Sequence, residues 1–236
     1  MNRVKRITRI ITMPPPNGTR TDQTGKGLSN ESVQRFYDRF STFYSIAEKW
    51  DSPPKRFLLE QLDLNESHLV LNIGTGSGID HNRICQITPA KRVIGVDISH
   101  KMLLLTSSRS GSHVCQSDAR RLPFKSDTID RIYCSYLLDI FPPWEAPHIL
   151  VELCRVLKPG GRVGWITLSE GVTPLSRLFI SVWKGFYSIH PSICGGCRPQ
   201  QLSHVLPVGR LRQFRSRVFL QMGVPSEVVV ALKADE

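Results

Sequence analysis

An apolar run that leads into three closely spaced glycines is the feature that most constrains the fold of this chain. The stretch LVLNIGTGSGID (69–80) places Gly74, Gly76 and Gly78 at alternate positions directly after the run. Glycine adopts positive φ at little cost and lets a ligand approach the backbone closely. The pattern is therefore typical of a strand that passes through a loop into a helix.

Apolar segments of strand length alternate with helical patterns along most of the chain. Helices are predicted from about 30, at 53–62, from the glycine loop to 88, and at 99–107, 145–157 and 174–189, with LKPGG (157–161) ending the fifth. The predicted strands are 68–73, 92–97, 113–118, 129–136, 162–168, 211–220 and 226–233. We therefore predict an α/β fold, with a doubly wound, mostly parallel, Rossmann-like sheet of seven strands. An N-terminal helical cap and a helical insertion after strand five complete it, and ligands bind beyond the carboxyl ends of such strands.

The domain organisation follows from a change in composition near residue 28. Residues 1–28 are basic, carry three consecutive prolines and show no periodicity, so we predict disorder there. Residues 29–236 are expected to form one domain, with the insertion at about 171–205. No secretory signal precedes the domain, which favours the cytoplasm, while an Arg-rich start leaves a mitochondrial transit segment as the alternative. Met13 is an alternative start.

The net charge of +11 is concentrated at the two ends of the chain. Residues 1–30 contain six Lys/Arg and one acid, and residues 171–236 contain eight and three, whereas the middle is nearly neutral. This distribution argues against a nucleic-acid groove through the middle. It favours basic flanks that could meet phosphate or an anionic membrane.

The glycine loop differs from two common nucleotide-binding loops. The dinucleotide fingerprint G-x-G-x-x-G would need a third glycine at position 79, where this chain has Ile79. No Lys-Ser/Thr pair follows, as a phosphate-binding P-loop would require. The loop is therefore not expected to bind a pyrophosphate.

Two further acids follow predicted strands. Asp97 ends the second strand, and an ionised carboxylate can accept hydrogen bonds from both hydroxyls of a ribose diol. Asp118, followed by Ala119, lies after the third strand, where an acid can accept from an adenine amino group. Nicotinamide cofactors and S-adenosylmethionine (SAM) both carry such a diol.

These motifs together resemble the class I SAM-dependent methyltransferases, most closely the ubiquinone/menaquinone and phospholipid methyltransferase type. The matching pieces, in order, are LNIGTGSG (71–78), GVDIS (95–99), SDARRLPF (117–124), DTIDRIYCSYLLDIF (127–141) and LCRVLKPGGRV (153–163). The resemblance implies SAM as the cofactor. It also implies that the glycines approach the amino-acid part of SAM, that Asp97 binds the ribose and that Tyr37 and Tyr44 cover the cofactor. The implied cofactor-binding set is Asn72, Gly74, Thr75, Gly76, Gly78, Asp97, Ile98, Asp118, Ala119, Tyr37 and Tyr44.

Asn72 departs from the pattern of the resembled family, which usually has an acid at this position near the methionyl ammonium. An amide offers a carbonyl acceptor without charge, so the stronger charge-assisted bond is lost. We expect weaker cofactor affinity rather than lost binding. Asn72 also favours one alternative function, a non-catalytic partner protein with the SAM-binding fold.

The function that the sequence predicts is methyl transfer from SAM to a small, lipophilic acceptor of quinol, phospholipid or natural-product type. A phenol or a quinol carbon needs a base before it attacks, and the candidates are Tyr136, Asp139 and His190. A nucleic-acid methyltransferase is the remaining alternative, supported by net charge and by FPPW (141–144) alone. No metal is expected, since His190, Cys194, Cys197 and His204 lack a second Cys-x-x-Cys pair.

Residues 174–189 carry an apolar stripe at helical spacing: Leu175, Phe179, Val182, Trp183 and Phe186. The stripe is either part of the core or an apolar lid over an acceptor pocket that also touches a membrane. A cluster of Arg210, Arg212, Arg215 and Arg217 would add attraction to anionic lipid, and a solvated face is its other interpretation.

Overall fold

The computed structural model describes residues 11–12, 52–194, 196–206, 209–221 and 223–235. These residues form an eight-stranded sheet in the order β1-β4-β3-β2-β5-β6-β8-β7. The strands are β1 Ile11–Thr12, β2 Val70–Ile73, β3 Val93–Asp97, β4 His113–Gln116, β5 Ile129–Ser135, β6 Leu157–Leu168, β7 Leu211–Gln221 and β8 Val224–Lys233. Pairing is parallel from β1 through β6, and β8 is antiparallel to both β6 and β7.

Five α-helices connect and cover the strands: α1 Pro53–Leu62, α2 Ile79–Ile87, α3 His100–Ser110, α4 Ala146–Val156 and α5 Pro174–Ile189. Short 3-10 turns occur at Ala90–Arg92, Leu138–Ile140, Pro191–Cys194 and Ser203–Val205. In the part of the chain that the structure describes, no helix is long and apolar enough to cross a membrane.

The predicted Rossmann-like α/β fold class is confirmed, and two details differ, while the N-terminal helical cap predicted from about residue 30 lies outside the described residues. Strand β6 begins at Leu157 rather than 162, with an irregular pairing to β5 at its start. Gly160, which we expected to end α4, instead takes its positive φ of 69° inside this irregular segment. The segment predicted to be disordered contributes the two-residue strand β1, and the rest of it lies outside the described residues.

The sheet separates two apolar cores because successive strand residues face opposite sides. Leu71 and Ile73 of β2 lie in one core, and Val70 lies in the other, with α1. Contact between α1 and the sheet is close at Gly164 of β6, where an added Cβ would collide with the side chain of Leu58. This contact fixes the position of α1 above the sheet.

Strand order reverses beside β2, which lies between β3 and β5. The loops after these parallel strands therefore leave the same edge of the sheet, where doubly wound proteins bind ligands. The glycine loop follows β2, Asp97 is the last residue of β3 and Tyr136 follows β5, so the fold brings together three segments that are distant in sequence.

Candidate functional site

The glycine loop has the backbone geometry that its sequence predicts. Gly74, Gly76 and Gly78 have φ of 70°, 52° and 82°, a region that other residues rarely adopt. A Cβ on Gly78 would lie 2.5 Å from the Cα of Thr106 in α3. The last glycine is therefore also required for close packing between α2 and α3.

Asp97 holds the loop. One of its carboxylate oxygens accepts from the amide of Gly76 at 3.0 Å, and the other accepts from the amide of Ser99 at 2.9 Å. A carboxylate has about four acceptor positions, so capacity remains for a diol. Asp97 and Ile98 both line the cavity described next.

A cavity of about 460 Å³ opens at the carboxyl edge of the sheet. On the β2 and β3 side it is lined by Asn72, Gly74, Thr75, Gly76, Asp97 and Ile98. On the β5 and β6 side it is lined by Tyr136, Leu137, Asp139, Ile140 and Leu168, with Trp183 of α5. Its volume falls within the range of small-molecule sites.

Asn72 is buried and pairs with a histidine. Its amide nitrogen lies 3.3 Å from Nδ1 of His81, whose Nε2 contacts the hydroxyl of Ser112. Burial lowers the pKa of His81 to about 4, so the ring is neutral at pH 7. A neutral ring that donates from Nε2 to Ser112 can accept from Asn72 at Nδ1, so an amide at position 72 suits this partner.

An ion pair that sequence reasoning missed lies in the same cavity. Nζ of Lys55 in α1 is 2.6 Å from Oδ2 of Asp80 in α2, and the two side chains are 7% and 10% exposed. Both residues line the cavity. The position of Asp80, two residues beyond the last glycine, was a signal for it, whereas nothing in the local sequence indicated Lys55.

Tyr136 and Asp139, two of the three candidate bases, line the cavity. The Tyr136 hydroxyl lies 2.8 Å from the hydroxyl of Ser226, and burial raises its pKa to about 12. The Asp139 carboxyl is fully buried, and one oxygen accepts from the amide of Leu168 at 3.1 Å. Burial raises the pKa of Asp139 to about 7, which suits a general base far better than a neutral tyrosine hydroxyl does.

Several predicted site residues lie apart from this cavity. His190, at the end of α5, is exposed and does not line it. The Asp118 carboxylate binds the Arg120 guanidinium at 2.6 Å, and Ala119 is part of the core. Neither lines the cavity, so their contact with adenine stays a prediction. Tyr37 and Tyr44 lie outside the described residues.

The insertion helix α5 divides the predicted stripe. Trp183 lines the cavity and its ring nitrogen donates to the carbonyl oxygen of Cys197 at 3.0 Å, while the ring of Phe179 lies 5.8 Å from that of Trp183. The other stripe positions are at least half exposed, as are two further apolar residues at helical spacing: Leu175, Leu178, Val182, Phe186 and Ile189. The helix therefore presents one aromatic residue to the cavity and a row of apolar residues to the protein surface.

The candidate metal ligands and the arginine cluster are the other two groups that the sequence analysis singled out. Within the described residues, no group of three His, Cys, Asp or Glu side chains could hold a metal ion. Arg212, Arg215 and Arg217 are exposed on β7, an edge strand, where charge also discourages pairing with other sheets.

Sequence comparison identifies the domain. Residues 70–161 match the family model described as "Methyltransferase domain". The chain is 33% identical over 158 residues to malonyl-[acyl-carrier protein] O-methyltransferase of a Marinomonas species, covering 65% of this chain and 57% of that protein. It is 27% identical over 167 residues to demethylmenaquinone methyltransferase of Lactobacillus johnsonii, covering 68% and 66% respectively. The chain thus spans less than two thirds of either relative.

The fold is similar to that of a solved complex, N-methyltransferase NodS from Bradyrhizobium japonicum with S-adenosyl-L-homocysteine. The TM-score is 0.65 at 12% identity, covering 86% of this chain and 99% of that one. The fold is the Rossmann-like fold of class I methyltransferases, and the glycine loop lies within the residues that match the family model. Residues 70–161 thus belong to a methyltransferase domain family, and the cofactor of class I methyltransferases is SAM.

The residues present fit this cofactor. Gly74 and Gly76 line the cavity and leave the loop backbone open to a ligand, whereas Gly78 packs against Thr106 outside it. Asp97 offers acceptors for a ribose diol. The hydroxyl of Thr75, which lines the cavity, is buried and has no hydrogen-bond partner among the described residues. A buried polar atom without a partner is costly, and a polar ligand would satisfy it.

Proposed function

We propose that this protein transfers the methyl group of SAM to a small lipophilic acceptor that carries an acidic proton, of the quinol or phenol type. The observation that supports the proposal best is a single cavity. It joins the glycine loop and Asp97 to an apolar region that contains one buried carboxyl, Asp139.

The cofactor would lie on the β2 and β3 side of the cavity. Gly74 and Gly76 would allow close approach to the backbone, and Asp97 would hold the ribose. When bound, SAM supplies a methyl group that its sulfonium already activates. The protein is then left to align the acceptor and exclude water.

Asp139 is the group we assign as the base. Its pKa of about 7 leaves a large fraction of the carboxyl ionised at neutral pH, and this ionised form accepts a proton more readily than an ordinary carboxylate does. The oxygen that does not contact Leu168 is buried and has no hydrogen-bond partner among the described residues. This oxygen would take the proton of an acceptor hydroxyl as the acceptor attacks.

The surroundings of Asp139 favour an apolar acceptor. Leu137, Ile140 and Leu168 line the same side of the cavity, and Trp183 reaches it from α5. Apolar walls raise affinity for a lipophilic ring through the area that they remove from water. They also keep Asp139 poorly hydrated, which is the cause of its raised pKa.

The relatives' names agree with this acceptor class in part. One relative is named for demethylmenaquinone, a quinone, and the other for a malonyl thioester on a carrier protein. The buried carboxyl within apolar walls favours the first type for this chain. An anionic membrane would supply such an acceptor, and the exposed apolar row of α5 and the basic residues of β7 suit contact with it.

A product-mass screen tests the proposal. The protein is incubated with SAM carrying a deuterated methyl group and, in separate reactions, with a demethylated naphthoquinol, a simple phenol, a phospholipid, RNA and a small polar amine. We expect the isotopic methyl group on the quinol or the phenol. Labelling of the amine or RNA alone would refute the acceptor class, and SAM binding without any labelling would favour the non-catalytic alternative.

A further inference from the structure

The Lys55–Asp80 ion pair is an unusual feature of the cavity wall. Few charged side chains are buried as deeply, and removing two charges from water costs free energy that their mutual attraction often fails to recover. The pair therefore needs an explanation other than stability. Both residues line the same cavity as Asn72 and Gly74, which points to a ligand.

Two well-packed elements hold the pair in place. Lys55 lies one turn before Leu58, whose side chain packs against Gly164 of β6. Asp80 is the second residue of α2, directly after the glycine loop. Neither side chain depends on a long loop for its position.

The other two acids that line the cavity have assigned roles. Asp97 accepts two backbone amides of the loop region and is assigned to the ribose, and Asp139 lies among apolar residues on the opposite side. Position 72, where the resembled family usually has an acid, holds an amide that contacts His81. Asp80 is thus the remaining carboxylate near the glycine loop among the residues that line the cavity.

We propose that Lys55 and Asp80 bind the amino-acid end of SAM, with Lys55 on its carboxylate and Asp80 on its ammonium group. The assignment rests on the proposed function and replaces the missing acid at position 72. A zwitterion beside an ion pair gives four charges of alternating sign. Lys55 has three N–H donors and gives one to Asp80, whose second oxygen lies 3.4 Å from the Arg83 guanidinium, so both groups have capacity left for a ligand.

Three ligands separate the two halves of this assignment. SAM carries both charged groups of the amino acid, decarboxylated SAM keeps the ammonium group alone, and 5′-methylthioadenosine has neither. Each is titrated calorimetrically into the wild-type protein, Lys55→Met and Asp80→Asn. Lys91→Met and Asp235→Asn are exposed controls with the same changes of charge, and Lys91 precedes β3, at the opposite edge of the sheet.

We expect Lys55→Met to weaken the binding of SAM by about 10- to 100-fold, as for the loss of a charged hydrogen bond. The affinity for decarboxylated SAM should be unaffected. Asp80→Asn should weaken the binding of both SAM and decarboxylated SAM, and methylthioadenosine should bind all variants equally well. Equal losses for SAM and methylthioadenosine, or no loss in either variant, would overturn the assignment. Wild-type protein that binds neither SAM nor methylthioadenosine would overturn the proposed function as well.

A double variant covers the case in which a single change unfolds the protein. Removing one partner leaves an uncompensated buried charge, whereas Lys55→Met combined with Asp80→Asn removes both charges. The double variant should fold, bind methylthioadenosine and discriminate poorly between SAM and methylthioadenosine. If it retains the full preference for SAM, the ion pair does not bind the amino-acid end.

Discussion

Replacing Asp139 by Asn should make the protein more stable at alkaline pH and nearly inactive. The substitution keeps the shape of the side chain, including the acceptor for the Leu168 amide, and removes the charge. Asp139 is fully buried, so its ionised form is the costly form. The same cost gives the carboxyl its ability to take a proton near pH 7.

The size and sign of the stability effect follow from the pKa. Folding raises the pKa of this carboxyl from the usual 3.8 to about 7, so between these values the folded protein keeps a proton that the unfolded chain has lost. The contribution of this carboxyl to the free energy of unfolding is therefore fully present below pH 3.8 and is lost as the pH rises to about 7. The loss amounts to about 4 kcal/mol at 1.36 kcal/mol per pH unit.

Activity should change in the opposite direction. The wild-type rate should rise with pH through about 7 as Asp139 ionises, whereas the variant has no ionisable group there. Loss of a positioned base lowers rates by about 10²- to 10⁴-fold. The residual activity of Asp139→Asn should therefore be low and lack the rise near pH 7.

Urea denaturation at pH 5 and pH 8 and methyl transfer from labelled SAM measure the two effects. Asp139→Asn should exceed the wild type in free energy of unfolding by a larger margin at pH 8 than at pH 5. Asp235→Asn, at an exposed position, should show neither effect. If the difference in free energy of unfolding between the two proteins is the same at both pH values, the raised pKa of Asp139 is refuted. A variant of full activity would refute Asp139 as the base.

Three further variants test the cofactor and acceptor contacts. Asp97→Ala should weaken SAM binding by about 1–3 kcal/mol in calorimetry, since the diol would lose its acceptors; unchanged affinity would contradict the ribose placement. Asn72→Asp should preserve SAM binding or tighten it, and the added charge should raise the pKa of His81, measurable by NMR titration; a large loss of affinity would show that Asn72 has another role. Replacing Trp183 and Phe186 together by Ser should raise the KM for a lipophilic acceptor and leave SAM affinity nearly unchanged. Co-sedimentation of the wild type with anionic vesicles should fall with added salt. Failure of the wild type to bind such vesicles would refute the proposed membrane contact.

The sequence predicted best what depends on local pattern. The glycine loop follows one mostly apolar strand and Asp97 ends the next, so their place at the sheet edge could be inferred from the order of the strands. The start of β6 could not be, because LKPGG is typical of a turn and its pairing with β5 depends on a distant strand. Side-chain contacts such as that of Asp118 with Arg120 were also beyond local pattern.

The parts of the site that the sequence did not reveal join residues from different elements. Lys55 and Asp80 come from α1 and α2, and their contact depends on how α1 packs against β6. Asn72 and His81 are nine residues apart, but whether the histidine turns toward the amide depends on its burial. Such pairs follow from packing, which periodicity alone does not specify.

The position of β8 has a consequence for synthesis of the chain. It is the last strand of the described chain, yet it lies inside the sheet between β6 and β7. Two of its residues, Val224 and Ser226, line the cavity, and Ser226 contacts Tyr136. While the polypeptide is being translated, β6 therefore has an unpaired edge and the cavity lacks part of its wall. A fragment that ends before Val224 should aggregate through that edge and should not retain the cofactor.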